Sequence, residues 1–312
     1  MSEVSGITVI DSFSERVIQL FNENQLDIEK AKALVHWSLI EDATPNGDVT
    51  SQATISESSQ STAQYRARNN GVVVGIAILA LALESVGLTD YSINVKDGDL
   101  VKPGDVICEV NGSTRAILLI ERTSLNILSH LSGVATATHH WVTALSGYKA
   151  KVRDTRKTTP LFREIEKYAV RMGGGVNHRF NLGDQGLIKD NHIAAAGSIT
   201  GAYKAFKAAY PELPVEIEVD NFEQFEEALA LTPDWILLDN MNPEQCKKAV
   251  ALADGKVKLE ASGGITLENA SAFGESGVDF IAVGALTHSA PAFDFGLDFI
   301  NSNTSPIKGG EL

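Results

Sequence analysis

Val215-Glu216-Ile217-Glu218-Val219-Asp220 alternates apolar and acidic residues, and Trp235-Ile236-Leu237-Leu238-Asp239-Asn240 is an apolar run closed by a carboxylate and an amide. Residues 223–231 between them carry apolar positions at helical spacing, so the stretch reads strand, helix, strand. The same alternation extends both ways. Strands are predicted at 150–153, 186–189, 215–219, 235–238, 257–260 and 280–283, and helices at 161–172, 199–210, 223–231, 243–253 and 267–275. Strands linked by helices are right-handed crossover units and predict a parallel sheet or barrel. A complete (β/α)₈ barrel needs eight strands, so six predict an incomplete, open parallel α/β barrel, with an open doubly wound sheet as the other arrangement.

In such barrels chemistry lies at the carboxyl ends of the strands. Those ends read Asp154-Thr155-Arg156-Lys157, Lys189-Asp190-Asn191-His192, Glu218-Val219-Asp220, Asp239-Asn240, Ser262-Gly263-Gly264 and Gly284-Ala285-Leu286-Thr287-His288. All six deliver polar residues at one end, which points to an enzyme. Residues 149–192 hold ten of the 26 Lys/Arg but five of the 40 Asp/Glu in a chain of net charge −14. Cations focused in this way suit a small polyanion, because Arg forks match carboxylates and phosphates two bonds at a time. They do not suit a nucleic acid, whose binding wants a broadly basic surface, and this chain has a pI near 4.9. Arg163, Lys167 and Arg171, at helical spacing, read as a solvated basic face. Arg156, His178, Arg179 and Lys189 stand beside Thr, Gly and Asn near strand ends and read as a site.

Length (312 residues) and 44% hydrophobic content allow a large core in one or two domains. The apolar run at 71–83 is shorter than the ~20 residues of a membrane span. No basic-then-apolar leader opens the chain, so no secretory signal is expected. Cys108 and Cys246 lack metal-ligand spacing and read as buried thiols in a reducing cytoplasm. Before residue 149, helices are predicted at 12–22, 27–41, 76–86 (closed by Gly87) and 114–145, and a strand at 64–68. Turn-rich residues 95–112 resemble the hairpins of biotinyl and lipoyl carrier domains but lack a modifiable Lys at a hairpin tip, so a carrier module is a rival without its key residue. Only residues 56–61, rich in Ser, and the tail from 301 read as low complexity.

Ser262-Gly263-Gly264 ahead of a helix, together with the Gly284 turn, can aim backbone N–H groups at an anion, as phosphate sites after late barrel strands do. Glu218 and Asp239 could hold a divalent cation or sugar hydroxyls, or serve as an acid/base pair. Lys189 at a strand end admits a Schiff-base lyase, which leaves Arg156, His178 and Arg179 unexplained. His36, His130, His139 and His140 fall within helical patterns and read as packing or surface residues. His192 reads as orienting a neighbour.

The chain resembles the quinolinate phosphoribosyltransferase family. The resemblance rests on Glu41-Asp42 with Gly47-Asp48-Val49-Thr50, Glu121-Arg122-Thr123-Ser124-Leu125-Asn126, Asp154-Thr155-Arg156-Lys157-Thr158, Asn177-His178-Arg179, Lys189-Asp190-Asn191-His192, Glu218-Val219-Asp220, Leu238-Asp239-Asn240 and Ser262-Gly263-Gly264-Ile265, in order. It implies an N-terminal α/β sandwich domain (1–132), an open α/β-barrel catalytic domain (133–300) and a tail (301–312). It implies conversion of quinolinate and 5-phosphoribosyl 1-diphosphate, with Mg²⁺, to nicotinate mononucleotide, pyrophosphate and CO₂ in NAD biosynthesis, by a cytoplasmic homodimer with no nucleic-acid or membrane partner. Arg156, His178 and Arg179 would grip quinolinate, with Arg122 from the partner subunit. Lys157, Lys189, Glu218 and Asp239 would hold the ribosyl diphosphate and its metal. Ser262, Gly263, Gly264, Gly284 and His288 would bind phosphate. A nicotinate phosphoribosyltransferase is the nearest rival, though one carboxylate would need fewer cations. One departure stands out: the family places Gly where this chain has Leu161, which would be strained by about 1–2 kcal/mol if that position needs φ > 0.

Overall fold

A computed structural model of the chain describes residues 2–4, 7–10 and 12–303. It divides into two units, Met1–Thr136 with Pro291–Leu312, and Ala137–Ala290. This differs from the expected boundaries of 1–132 and 133–300 at the C-terminal side. Phe295–Asn303 forms a strand that pairs antiparallel with Gln60–Ala67, which assigns the residues from 291 onward to the first unit and ends the expected barrel domain ten residues early. Residues 304–312 of the expected tail lie outside the described residues.

The first unit is an α/β sandwich on a four-stranded antiparallel sheet, in the order Phe295–Asn303, Gln60–Ala67, Val106–Ser113, Asp90–Ile93. Its strand expected at 64–68 starts at Gln60, so the Ser-rich tract is partly sheet, and buried Ser61 shares a 2.7 Å hydrogen bond with Thr114. Every residue of helix Ile76–Ser85 is buried, which explains an apolar run too short for a membrane. Its free N-terminal N–H groups need acceptors. Asp97 supplies one, taking the Gly75 and Ile76 N–H groups at 2.8 and 3.0 Å. The carrier-like turns therefore cap a helix and seat the short Leu100–Val101 strand against Gly71–Val72. Among the described residues no helix is long and apolar enough to cross a membrane. Cys108 and Cys246 are free and buried, and burial pushes their thiols up to about 12 and about 11.

The second unit contains all six predicted strands: Lys151–Arg153, Gly186–Ile188, Val215–Val219, Trp235–Asp239, Lys258–Ser262 and Phe280–Ala282. All pair in parallel, in the spatial order first, sixth, fifth, fourth, third, second. A doubly wound sheet reverses its winding at a switch point. Here the order runs one way, and the first strand closes onto the sixth, as in a barrel left open between the first and second strands. Arg153 forms an isolated parallel bridge with Val176 along that open edge. The connection after the first strand thus delivers residues 176–179 beside it.

Period-two alternation sets which side chains point inward. Val215, Ile217 and Val219 are buried apolar residues on one face of the third strand, and Glu216 and Glu218 share the other. Arg153 lies over the rings of Phe280 and Trp235, 4.6 and 5.5 Å from their centroids, so the barrel interior carries a polar layer instead of aliphatic filling.

Leu161 has φ 68° and is fully exposed. It gains no burial for its left-handed backbone. Leu161→Gly is expected to stabilise the protein by about 1 kcal/mol, the relief of left-handed strain less the extra freedom glycine gives the unfolded chain. Urea denaturation checks it, and an unchanged or lower midpoint would refute it.

Candidate active site

One cavity of about 470 Å³ at the carboxyl ends of the strands is lined by Arg156, Lys157, His178, Arg179, Lys189, Glu218, Asp239 and Ser262. Eight of the residues singled out from sequence therefore share a single space. Gly263, Gly264, Gly284 and His288 do not line it. Gly284 and His288 stand beside Lys157: a Cβ on Gly284 would meet Lys157 Cδ at 3.0 Å and His288 Nε2 at 3.2 Å. Gly263 and Gly264 both have positive φ, and a Cβ on Gly263 would strike Asn240 Oδ1 at 2.1 Å, so glycine is required there by packing. The helix expected at 267 begins only at Ala270, and the glycine pair does not open it. Arg122 lies in the other unit, exposed, 3.1 Å from Glu121.

Arg156 sits in the loop after the first strand, and its buried Nε has no hydrogen-bond partner among the described residues. Arg179 donates to the Gln185 carbonyl at 3.0 Å. Desolvation, then the positive charge of Arg156, hold the Arg179 guanidinium below its ordinary value. Two guanidinium groups close enough to repel each other, one with a spare buried donor, are built for an anion. Across the cavity Lys189 Nζ is 2.5 Å from Glu218 Oε2, and Asp239 ends the next strand. Lys189 is tied to a carboxylate and partly exposed, not the desolvated, unpaired amine that a Schiff-base nucleophile needs.

The helix Arg163–Met172 overturns the reading of a solvated basic face. Lys167 is wholly buried and donates to Asp154, also wholly buried, and to the His178 carbonyl at 2.9 Å. Asp154 further accepts the His178 N–H at 2.8 Å and Asn177 Nδ2 at 2.5 Å. Burial pushes Asp154 up and Lys167 down, and each group's charge opposes the shift of the other. Arg163 bonds Thr158 Oγ1 at 3.0 Å and the Phe180 carbonyl at 3.2 Å, and Arg171 bonds Asn177 at 3.1 Å. One helix face thus ties the loop carrying Arg156 to the segment carrying Arg179. His192 Nδ1 takes the Lys189 N–H at 3.1 Å, orienting its neighbour as expected.

Glu216, Glu260 and Arg153 had no place in the sequence-based site. Glu260 lines the cavity and accepts from Arg153 at 2.6 Å, while Glu216 accepts from Gln185 at 3.1 Å. With His178 they form a group of three possible metal donors. The ring argues against a metal, because His178 Nδ1 accepts the Arg179 N–H at 2.7 Å and so leaves the ring proton on Nε2. Burial raises both glutamates from 4.5 to about 7, and for Glu260 the charge of Glu216 is the next cause. Acids raised on folding give stability that is full below about pH 4.5 and is lost as pH rises through about 7. His178, lowered from 6.5 to about 4, acts in the opposite sense, giving stability that is lost as pH falls below about 6.5. Of these three groups only the glutamates contribute above about pH 6.5, so the melting temperature should fall toward pH 8 and Glu260→Gln should flatten that fall, each group adding at most about 1.4 kcal/mol per pH unit. A wild-type profile already flat between pH 6.5 and 8 would refute it.

An open α/β barrel whose strand ends gather cations opposite carboxylates defines an enzyme for a small, multiply charged anion. The family described as quinolinate phosphoribosyl transferase matches through its C-terminal domain at residues 134–298 and its N-terminal domain at residues 48–132. The chain belongs to the quinolinate phosphoribosyltransferase family. It is 46% identical over 278 residues to a nicotinate-nucleotide pyrophosphorylase [carboxylating] of Mycobacterium leprae, covering 87% of this chain and 98% of that one. To a probable nicotinate-nucleotide pyrophosphorylase [carboxylating] of Bacillus subtilis it is 43% identical, covering 89% and 96%. The solved nicotinate-nucleotide pyrophosphorylase of Francisella tularensis superposes with a TM-score of 0.85 at 39% identity, covering 89% and 98%.

Proposed function

We propose that this chain converts quinolinate and 5-phosphoribosyl 1-diphosphate to nicotinate mononucleotide, pyrophosphate and CO₂, a step of NAD biosynthesis. The observation that carries the proposal is the pair Arg156 and Arg179, two guanidinium groups in one cavity with a buried Nε left without a partner. Quinolinate supplies two adjacent carboxylates to such a pair. Lys157 and Lys189 are the cations for the ribosyl diphosphate, and Ser262, Gly263, Gly264, Gly284 and His288 are its phosphate-side candidates, of which Ser262 lines the cavity.

Glu218 and Asp239 fit Mg²⁺, which takes one or two carboxylates and completes its shell with water and substrate phosphates. When bound, the ion would neutralise charge on the departing pyrophosphate. The cationic residues position the pyridine ring so that its nitrogen faces the anomeric carbon of ribose. As the bond to pyrophosphate breaks, Glu218 and Asp239 stabilise the positive charge that develops on the sugar. The ribosylated nitrogen is cationic, so the neighbouring carboxylate leaves as CO₂. Its bonding electrons stay on the ring carbon, which then takes a proton. Incubating the protein with quinolinate, Mg²⁺ and phosphoribosyl diphosphate should release CO₂ and nicotinate mononucleotide in equal amounts; turnover of nicotinate without CO₂ would reject the assignment.

The working form is a cytoplasmic homodimer in which Arg122 of one subunit completes the quinolinate site of the other. Its exposure, and the absence among the described residues of a carboxylate contact except with its sequence neighbour Glu121, support this role, and the free buried thiols support the compartment. Arg122→Ala and Arg156→Ala proteins, each nearly inactive alone, should regain about a quarter of wild-type activity when refolded together, since half of random dimers then hold one intact site. No recovery, or an active monomer in sedimentation, would reject the shared site.

A further inference from the structure

Lys157 and Lys189 both line the cavity, but they are held in different ways. Lys189 is fixed at its tip, where Nζ pairs with Glu218 at 2.5 Å. Lys157 is exposed, and its ammonium has no ion pair among the described residues. What fixes Lys157 is its backbone. Its N–H donates to Thr155 Oγ1 at 3.0 Å, and its carbonyl accepts the Thr287 hydroxyl at 2.7 Å. Its stem runs beside Gly284, where an added Cβ would stand 3.0 Å from Lys157 Cδ.

A threonine in a helical turn ordinarily bonds a carbonyl three or four residues back. Thr287 has that option in Gly284, at 3.3 Å, yet its single proton is better placed for Lys157, at 2.7 Å. Thr287 is 2% exposed, so water does not compete for the bond. It stands in the short turn Ala285–His288 after the sixth strand, 130 residues from its acceptor. The first and sixth strands pair here, and the Val283 N–H extends the pairing to the Arg153 carbonyl at 2.9 Å. The Thr287 bond therefore carries the register of the sheet into the loop that bears Lys157.

We propose that Thr287 is a positioning residue for the phosphoribosyl diphosphate subsite and acts through Lys157: its buried hydroxyl sets where the lysine backbone stands, and so where the unpaired ammonium meets a phosphate. The proposal rests on reading the cavity as the site of that substrate. Lysine grips phosphate as a point charge on a flexible stem, so its charge is placed only if the root of the stem is placed. Arg156, one residue away, is held separately, since its carbonyl takes the Thr158 N–H at 3.0 Å and Arg163 Nη2 at 3.4 Å. Quinolinate binding thus serves as the internal control.

Thr287→Val keeps the branched shape and removes the donor. Calorimetry with quinolinate and initial rates with phosphoribosyl diphosphate, on the intact enzyme with Mg²⁺, read the two subsites. In Thr287→Val the Michaelis constant for phosphoribosyl diphosphate should rise about fivefold or more, with quinolinate affinity within about twofold of wild type. Thr287→Ser keeps the hydroxyl and should return that constant to within about twofold of wild type. In a Lys157→Ala background Thr287→Val should add less than about twofold, because both changes act through one cation. An unchanged constant in Thr287→Val, equal weakening of both substrates, or the full rise in the Lys157→Ala background would overturn the proposal. Should Thr287→Val fail to fold, Thr287→Cys, whose thiol is a weak donor, takes its place in every comparison. Wild-type enzyme that does not consume phosphoribosyl diphosphate would overturn the reading of the cavity, and the proposal with it.

Discussion

Lys167→Met should cost roughly 3–5 kcal/mol of folding stability, because it strands the carboxylate of Asp154 in a site without solvent. Neither side chain of the pair has measurable exposure. After the substitution Asp154 keeps the Asn177 and His178 donors, at 2.5 and 2.8 Å, but no countercharge in direct contact. Domains of this size are stable by only about 5–15 kcal/mol, so the loss should be visible as a large drop in the urea midpoint. Methionine has nearly the volume of the lysine stem, so the cavity cost is small and the effect is electrostatic. The double variant Asp154→Asn with Lys167→Met should recover much of the loss, since it leaves no buried charge unpaired. A single variant within about 1 kcal/mol of wild type would mean that the pair is hydrated or already neutral, and a double variant no better than the single would assign the cost to packing.

That residue marks the boundary of what the sequence made legible. Arg163, Lys167 and Arg171 at spacings of four would look the same on a solvated face as on this one. Burial follows from the 154–159 and 176–180 segments folding across the helix, which no local pattern encodes. The strands were readable because their apolar runs and their spacing are local properties, and all six stand where the alternation put them. Glu216 and Glu260 were half readable. Each lies two residues before a residue already assigned to the cavity, Glu218 or Ser262, and period two puts both members of each pair on one face of a strand. What the pattern lacked was depth, since it cannot tell a side chain at the mouth from one beneath it. Phe295–Asn303 escaped for a different reason: its partner strand begins at Gln60, and pairing across that separation leaves no trace in either segment alone. Gly263 and Gly264 were singled out for phosphate, but their left-handed backbone and, at Gly263, the proximity of Asn240 account for glycine there without an anion.

Arg156→Ala and Arg179→Ala should each weaken quinolinate binding by roughly tenfold to a hundredfold, the loss of one charge-assisted contact at about 1.5–3 kcal/mol. The fold should survive both. Arg156 Nε has no partner among the described residues, and the Arg179 side chain donates to the Gln185 carbonyl. Removing either guanidinium also relieves the repulsion that, after desolvation, lowers Arg179. The ligand-free variants should therefore melt at or slightly above the wild-type temperature while binding quinolinate worse. That opposition distinguishes a ligand-gripping cation from a structural one, whose loss lowers stability and affinity together. Preference for quinolinate over nicotinate should shrink in the variant whose arginine serves the second carboxylate, which nicotinate lacks. Calorimetric titration of both acids alongside thermal melts makes the comparison, and unchanged quinolinate affinity in both variants would reject the site.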